Sequence, residues 1–442
     1  MKKIAVIMAL LHGMAWAQAE GGLTLPDAIR IGREKSRTLL ISAARIAAAQ
    51  GKSGAADALL LPALKLEASY KHLSDVPPFS IQPPGFPKPF VVSPNVLDNY
   101  SVRVSLQEPL FTGFRLSSNS RAAGALEEAS RLDNLNDEDD VVLLITTAYW
   151  ALYQTLETQK AMDENVKRLE SYVQDSQNLL KAGMATRNDL LKIQVQYNNA
   201  RLQQIDAAND VQVATMTLNN AMGRPLDTPV TLASVPAVQS SGQAPGQAAQ
   251  SIAEAFQRRS DIRAMTARVE ASRSGVTAAR SGWWPQLMLG ANYYYSKPNI
   301  RYQPALAEFK DSWDVGLTLQ FDVWNWGLAG HETEQAEAAL HQNEVQLDQM
   351  KENIALDVRR QSLAVTRARE KVTVASTSVE QAEENLRSMS DKFKNGLATS
   401  SDLLDADFAQ LQARTTLTGA LVERELADAR LRRAIGRSEE TQ

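Results

Sequence analysis

The chain has 442 residues, with 47 Lys and Arg against 51 Asp and Glu, a net charge of −4 and no cysteine. The missing cysteines exclude disulfides, thiol catalysis, thiolate metal sites and a lipid-anchor cysteine. The mildly acidic balance, with no basic tract, excludes an electrostatic footprint for nucleic acid.

Residues 1–19 have the pattern of a secretory signal peptide. Lys2 and Lys3 precede the apolar run Ile4 to Leu11, and small-x-small sites come after it at Ala15-Trp16-Ala17 and Ala17-Gln18-Ala19. Cleavage after Ala17 or Ala19 would release an exported chain. No later run reaches the ~18 apolar residues of a spanning helix.

The rest of the chain is a near-duplication. Lys181-Ala182-Gly183-Met184-Ala185-Thr186-Arg187-Asn188-Asp189-Leu190-Leu191 returns 213 residues later as Lys394-Asn395-Gly396-Leu397-Ala398-Thr399-Ser400-Ser401-Asp402-Leu403-Leu404. Leu61-Pro62-Ala63-Leu64 returns 223 residues later as Trp284-Pro285-Gln286-Leu287. A repeat of this length demands one architecture used twice.

The first copy, 20–223, is expected to hold a helix at 26–60, strands at 61–72 and 98–110, a long helix at 113–180 and a helix at 188–222. Residues 224–246, with Pro225, Pro229, Pro236 and Pro245, form a linker or equatorial segment. The second copy, 247–436, repeats the order as helix 247–281, strands 285–295 and 311–323, long helix 327–392 and helix 400–436. Residues 437–442 are a tail. The fold class is therefore mainly α with a small transmembrane β-barrel part, built on a duplicated helix-strand-strand-long helix-helix unit.

The helices carry lengthwise seams. Ile354, Val358, Val365, Ala368, Val372, Ala375, Val379, Ala382, Leu386, Met389 and Phe393 keep a three-four spacing, as do Val142, Ile145, Tyr149, Leu152 and Leu156. After the repeated runs, Leu191, Val195, Leu202, Ile205, Val213 and Met216 share a frame with Leu404, Phe408, Leu411, Val422, Leu426 and Ala429. The Ala- and Gly-rich stretch 43–58 is expected to permit close helix packing.

The strands alternate instead. Leu64, Leu66, Ala68 and Tyr70 oppose Lys65, Glu67 and Ser69, and Tyr100, Val102, Val104 and Leu106 oppose Ser101, Arg103, Ser105 and Gln107. Leu287, Leu289, Ala291, Tyr293 and Tyr295 oppose Gln286, Gly290 and Asn292. In the last strand Trp313, Val315, Leu317, Leu319 and Phe321 oppose Asp314, Thr318, Gln320 and Asp322. Each is about as long as a transmembrane β-strand of ~9–11 residues, with aromatics at the ends suited to interfacial girdles. Four strands cannot close a barrel, and an open edge in hydrocarbon leaves backbone groups unpaired. The chain must therefore oligomerise, and polar inward faces favour the wide barrel of a trimer. Residues 73–97 hold seven prolines and read as a stiff irregular lid that cannot enter a ladder; with 296–310 they form the extracellular loops.

Taken together, these residues resemble the outer-membrane efflux (TolC-type) family. The resemblance rests on Leu23-Thr24-Leu25-Pro26-Asp27-Ala28-Ile29 and on the helix-to-strand junctions at Pro62 and Pro285. It rests equally on the corners Glu108-Pro109-Leu110-Phe111-Thr112-Gly113 and Phe321-Asp322-Val323-Trp324-Asn325-Trp326-Gly327, and on both repeated runs. It implies a homotrimer with a twelve-stranded barrel in the outer membrane and a twelve-helix periplasmic tunnel. It also implies a periplasmic adaptor and an inner-membrane pump as partners, in efflux or type I secretion.

No residue pattern points to bond-breaking chemistry, a cofactor or a metal: His12, His72, His331 and His341 are scattered and the methionines dispersed. The sharpest candidates are Asp402 and Asp405, three apart and so on one helix face. In a trimer they would ring the narrow periplasmic end and favour cations, matching the family's acidic constriction, and replacing both with alanine would alter cation selectivity. Thr399-x-x-Asp402 also reads as a capping box, as does Thr186-x-x-Asp189. Where the family's closed-state latch carries a tyrosine and an arginine, this chain has Phe393 and Ala398. Gly183 and Gly396 are expected to take left-handed caps, and their exposed neighbours Met184, Ala185, Leu397 and Ala398 to meet the adaptor. The alternative function is a periplasmic adaptor or coiled-coil structural protein of an export assembly; an exported enzyme is the third class.

Overall fold

A computed structural model describes residues 22–93, 95–233 and 248–437. The signal-peptide expectation over 1–19, residues 234–246 of the linker and most of the tail lie outside the described residues. The chain is mainly helical. Its elements run α1 (Leu25–Lys35), α2 (Arg37–Ala58), β1 (Ala63–His72), β2 (Phe79–Ile81), β3 (Phe90–Ser93), β4 (Asp98–Phe111), α3 (Arg115–Lys181) and α4 (Arg187–Ala221). They continue as α5 (Ala248–Arg258), α6 (Ser260–Ala279), β5 (Gln286–Lys297), β6 (Lys310–Gln320), α7 (Leu328–Lys394) and α8 (Ser400–Ile435). Among the described residues no helix is long and apolar enough to cross a membrane.

Among the described residues two compact units divide these elements, one comprising residues 22–40, 137–233, 248–258 and 354–437, the other 41–93, 95–136 and 259–353. In the first, Ala28, Ile29 and Ile31 of α1 pack on Val142, Ile145, Tyr149 and Leu152 of α3 and on Leu218 and Met222. Gly32 admits Ile145, whose Cδ1 would lie 2.0 Å from an added Cβ. Buried Asn219 donates to the carbonyls of Leu226 (3.0 Å) and Thr228 (2.7 Å), pinning the start of the linker. A second core joins four helices: Val166, Leu169 and Tyr172 of α3, Ile193 and Ala200 of α4, Leu386 and Phe393 of α7, and Leu403 and Ala406 of α8. The α7 seam from Ile354 to Phe393 is buried or half-buried along its length.

The second unit contains a four-stranded antiparallel sheet of order β1-β4-β5-β6. Its register puts the apolar residues of all four strands on one face: Leu64–Leu106–Ala291–Val315 form one row and Leu66–Val104–Tyr293–Trp313 the next. The other face collects Lys65–Ser105–Asn292–Asp314 and Glu67–Arg103–Tyr294–Ser312. There Arg103 pairs with Glu67, and Asn292 Nδ2 donates to Asp314 Oδ1 at 2.8 Å. Pro109 has no N–H for the ladder, and the β4–β5 register shifts between it and Phe111. Among the described residues nothing covers the apolar face, where Leu66 is 74% and Leu317 64% exposed. β1 and β6 each leave one edge unpaired.

Several sequence expectations require correction. The helix expected over 26–60 is two, broken at Ser36, which adopts an extended conformation (φ −60°, ψ 125°). Gly223 sits against the Lys35 carbonyl beside this break; an added Cβ there would lie 2.5 Å from the Lys35 oxygen. The helix expected over 247–281 breaks likewise at Arg259, whose guanidinium grips Asp261 (2.6 and 3.0 Å), while Asp261 accepts the free N–H of Ile262. Loop 73–97 is not wholly irregular: β2 and β3 pair between its prolines. Along 43–58, expected to permit close helix packing, Gly51 and Gly54 have nothing within 4 Å of an added Cβ among the described residues, and Ser42 is the buried residue of α2.

Candidate functional site

The candidate residues sit where α3 turns into α4 and α7 into α8. Both turns close the same way. Gly183 (φ 74°) and Gly396 (φ 70°) take left-handed backbone. The N–H of Met184 reaches the Leu179 carbonyl (2.9 Å) and that of Leu397 the Lys392 carbonyl (2.8 Å), while the glycine N–H groups bond Leu180 and Phe393. This is the Schellman pattern that satisfies the last carbonyls of a helix. Met184 and Leu397 are exposed, whereas Ala185 and Ala398 are half-buried and Ala398 packs on the four-helix core. The apolar surface offered by the turns is therefore Met184 and Leu397, with Met184 Cε within 3.4 Å of a Cβ placed on Gly396.

The next helices begin with full capping boxes. Thr186 donates its N–H (3.1 Å) and hydroxyl (2.6 Å) to Asp189 and accepts the Asp189 N–H (3.2 Å). Thr399 and Asp402 repeat this at 2.9, 2.7 and 3.2 Å. The threonine bonds hold both carboxyls below the usual carboxylate range. Asp189 also accepts the buried Ser400 hydroxyl at 2.8 Å, tying the start of α8 to that of α4. Lys192 reaches Ser401 at 3.3 Å. Asp405 is exposed and lines a groove of about 440 Å³ with Asn188, Leu191, Lys192, Val195, Gln196, Ser401 and Leu404. Asp402 is thus bound into the helix start, while Asp405 lies in an open groove beside Lys192.

A buried polar cluster below the turns is absent from the sequence-derived candidates. Asp407 of α8 is 3% exposed and accepts Arg168 Nε of α3 at 2.9 Å; Arg168 also donates to buried Gln410 at 3.1 Å. Burial pushes the Asp407 carboxyl up, against the opposing pull of Arg168. Burial and the nearby Asp407 charge push Tyr172 to about 12. Leu403, Ala406, Asp407 and Gln410 form one buried line at helical spacing. A frame drawn through Leu404 and Phe408 instead passes along the adjacent row, and Phe408 is exposed. Phe393 is buried in the apolar core.

On the polar sheet face, a groove of about 550 Å³ is lined by Ser69, Ser101, Tyr294, Ser296, Arg301 and Asp314 among others. Among the described residues no group of three or more His, Cys, Asp or Glu side chains gathers as a metal site.

Comparison with known proteins extends this geometry. The profile of the family described as outer membrane efflux protein matches residues 29–224 and 251–437. The proteases secretion protein PrtF of Dickeya chrysanthemi is 23% identical over 325 residues, 73% of this chain and 69% of its own. The outer membrane efflux protein BepC of Brucella suis is 22% identical over 337 residues, 76% of this chain and 72% of its own. Among solved structures, the CmeC outer membrane channel of Campylobacter jejuni superposes with a TM-score of 0.81 at 14% identity, covering 94% of this chain and 86% of that one.

Proposed function

Because the chain belongs to the outer membrane efflux protein family, we propose that three copies close their sheets into one twelve-stranded barrel and form an outer-membrane exit duct. The protein is an outer-membrane channel component, not an enzyme, serving efflux or type I secretion with a periplasmic adaptor and an inner-membrane pump. The observation that carries the trimer is the sheet itself, with an apolar face left bare and one unpaired edge on each of β1 and β6. Edge pairing of β6 with the β1 of the next copy is a heterologous contact, and three such contacts close a ring without open edges.

The helices support the same assembly. α4 buries Ile193, Ala200, Ala207 and Leu218 within its own chain, yet leaves Leu191, Val195, Leu202, Ile205 and Val213 exposed on another face. The unpacked small residues of α2 are a further surface without an occupant in one chain. Neighbouring copies would cover both and complete a twelve-helix periplasmic tunnel in the duplicated architecture. Delivery through a cleaved signal peptide over 1–19, without a lipid-anchor cysteine, accords with this placement. The repeat boundaries at 20–223 and 247–436 are retained in this proposal.

Asp402 and Asp405 would then ring the narrow end, and Gly183, Met184, Ala185, Gly396, Leu397 and Ala398 would form the adaptor-docking turns, led by Met184 and Leu397. Asparagine is the better probe of the ring, because alanine at 402 would also remove the side-chain acceptor for the Thr399 N–H in the capping box. Asp402→Asn with Asp405→Asn should bring the potassium-over-chloride permeability ratio in planar bilayers down toward unity. An unchanged reversal potential would discard the ring assignment. Absence of any conductance from the intact trimer would discard the duct.

A further inference from the structure

Where the polar sheet face meets the two loops, two cations stand outside any ion pair. Lys71 shares that face with Ser69, Glu67 and Lys65, because the register sets it opposite Asn99, one residue beyond the Tyr70–Tyr100 pair of the apolar face. Arg301 comes from the loop between β5 and β6. Both line the groove of about 550 Å³, and among the described residues neither has an acidic partner within ion-pair distance. Arg103 and Lys310 on the same face, by contrast, are matched: Arg103 pairs with Glu67, and Lys310 with Glu308 at 3.0 Å.

Arg301 is held in place. Asn299, 2% exposed, accepts the Arg301 N–H at 3.0 Å and donates to the Lys310 carbonyl (3.1 Å) and the Ser312 hydroxyl (2.9 Å). That buried amide fastens the start of the loop to β6. The guanidinium spends Nη1 on the Trp313 carbonyl at 3.2 Å, which leaves most of its five donors for a ligand. Ser69, Ser101 and Ser296 form one cross-strand row along the same groove, and their hydroxyls can each donate to an oxyanion. The opposing charge is Asp314, which also lines the groove and accepts Asn292 Nδ2 at 2.8 Å. Lys71 and Arg301 against this one acid leave the groove net positive. A guanidinium and an ammonium beside a row of hydroxyls suit a carboxylate, which the arginine fork can take through two parallel bonds.

We infer that the Lys71–Arg301 groove is a weak binding station for carboxylate-bearing solutes crossing the barrel. The inference rests on the proposed trimeric duct, in which three such grooves place Lys71 and Arg301 of every copy around one lumen. Rings of Lys and Arg favour anions, and a station on a conduction path must also release what it holds. Both side chains meet that condition, since they are exposed. The station is a property of the sheet unit alone and does not depend on a ring of Asp402 and Asp405.

The test uses the full-length trimer in planar bilayers, with pentaglutamate added on the side of the loops and the dwell time of its current blockades recorded. Lys71→Gln with Arg301→Gln should shorten that dwell about tenfold, as expected for the loss of two exposed charge contacts. Asp314→Asn removes the opposing charge at nearly constant shape and should lengthen it. Pentalysine should dwell less than pentaglutamate in the wild type. Equal pentaglutamate dwell in the wild type and the double variant would overturn the inference, as would equal dwell of the two peptides. If the trimer conducts but pentaglutamate never blocks it, the station is wrong while the duct stands. If the intact trimer does not conduct, the duct falls and the station with it.

Discussion

Leu317→Arg should abolish the assembled trimer, whereas Thr318→Arg, one residue further along the same strand, should leave it intact. Leu317 pairs with Leu289 on the bare apolar face; Thr318 pairs with Met288 on the opposite face, which carries the Arg103–Glu67 pair. An arginine on the lipid face near mid-bilayer costs about 2–4 kcal/mol. In three copies that is roughly 6–12 kcal/mol, comparable with the whole stability of many folded domains. On the wet face the guanidinium stays hydrated and the cost vanishes to first order. The measurement is the fraction of outer-membrane protein migrating as a heat-modifiable trimer. Equal loss in both variants would mean that the two faces do not differ in environment, as in a soluble sheet.

Removing Arg168 should be the most damaging single truncation among the helices. Arg168→Leu leaves the Asp407 carboxylate buried without its partner, a change of about 3–5 kcal/mol. The effect lies toward the lower end because Arg168 is partly open to solvent. Its pH signature is specific. Burial raises the Asp407 carboxyl above its unfolded value. The resulting stabilisation is therefore present below the ordinary carboxylate value of about 3.9 and is lost as pH rises through the raised one. Without Arg168 to oppose burial, that window moves upward. Arg168→Leu should thus regain unfolding midpoint as the pH is lowered, while Arg168→Leu with Asp407→Asn should not. Tyr172, at about 12, does not titrate in this range. A pH-independent loss in Arg168→Leu would reduce the cluster to simple packing.

The fold class is legible because two periods dominate the chain. The three-four spacing from Ile354 to Phe393 marks a seam that the structure buries, and the alternation of Leu64, Leu66 and Tyr70 marks a face that the register extends across four strands. Periodicity reports which side of an element is apolar, but not which neighbour lies against it. Hence α4 carries two apolar faces, and the one through Leu191 and Val195 reads as its seam although Ile193 and Ala200 make the intrachain core. The breaks at Ser36 and Arg259 carry no proline or glycine at the break itself; the first sits against a tertiary partner, Gly223, and the second holds a side-chain pair with Asp261 two residues on. Proline in 73–97 disguises short pairing segments that lie between the prolines.

Of the candidate site, the helix starts are visible as Thr-x-x-Asp spacings, and the structure gives each its reciprocal bonds. The Arg168–Asp407 pin is not, because its partners are 239 residues apart and ion-pair choice between helices leaves no local trace. Likewise, sequence alone offers no sign that Phe114 and Trp326 turn left-handed, since glycine stands beside each and would ordinarily take that conformation alone.

The most direct test of the trimeric duct is the native mass of the outer-membrane protein released from detergent micelles. Three chains in one particle, falling to single chains when β6 carries Leu317→Arg, is the predicted result. A monodisperse single chain that remains folded without detergent would contradict it, because the bare face and the two free edges would then have no need of lipid or of further copies.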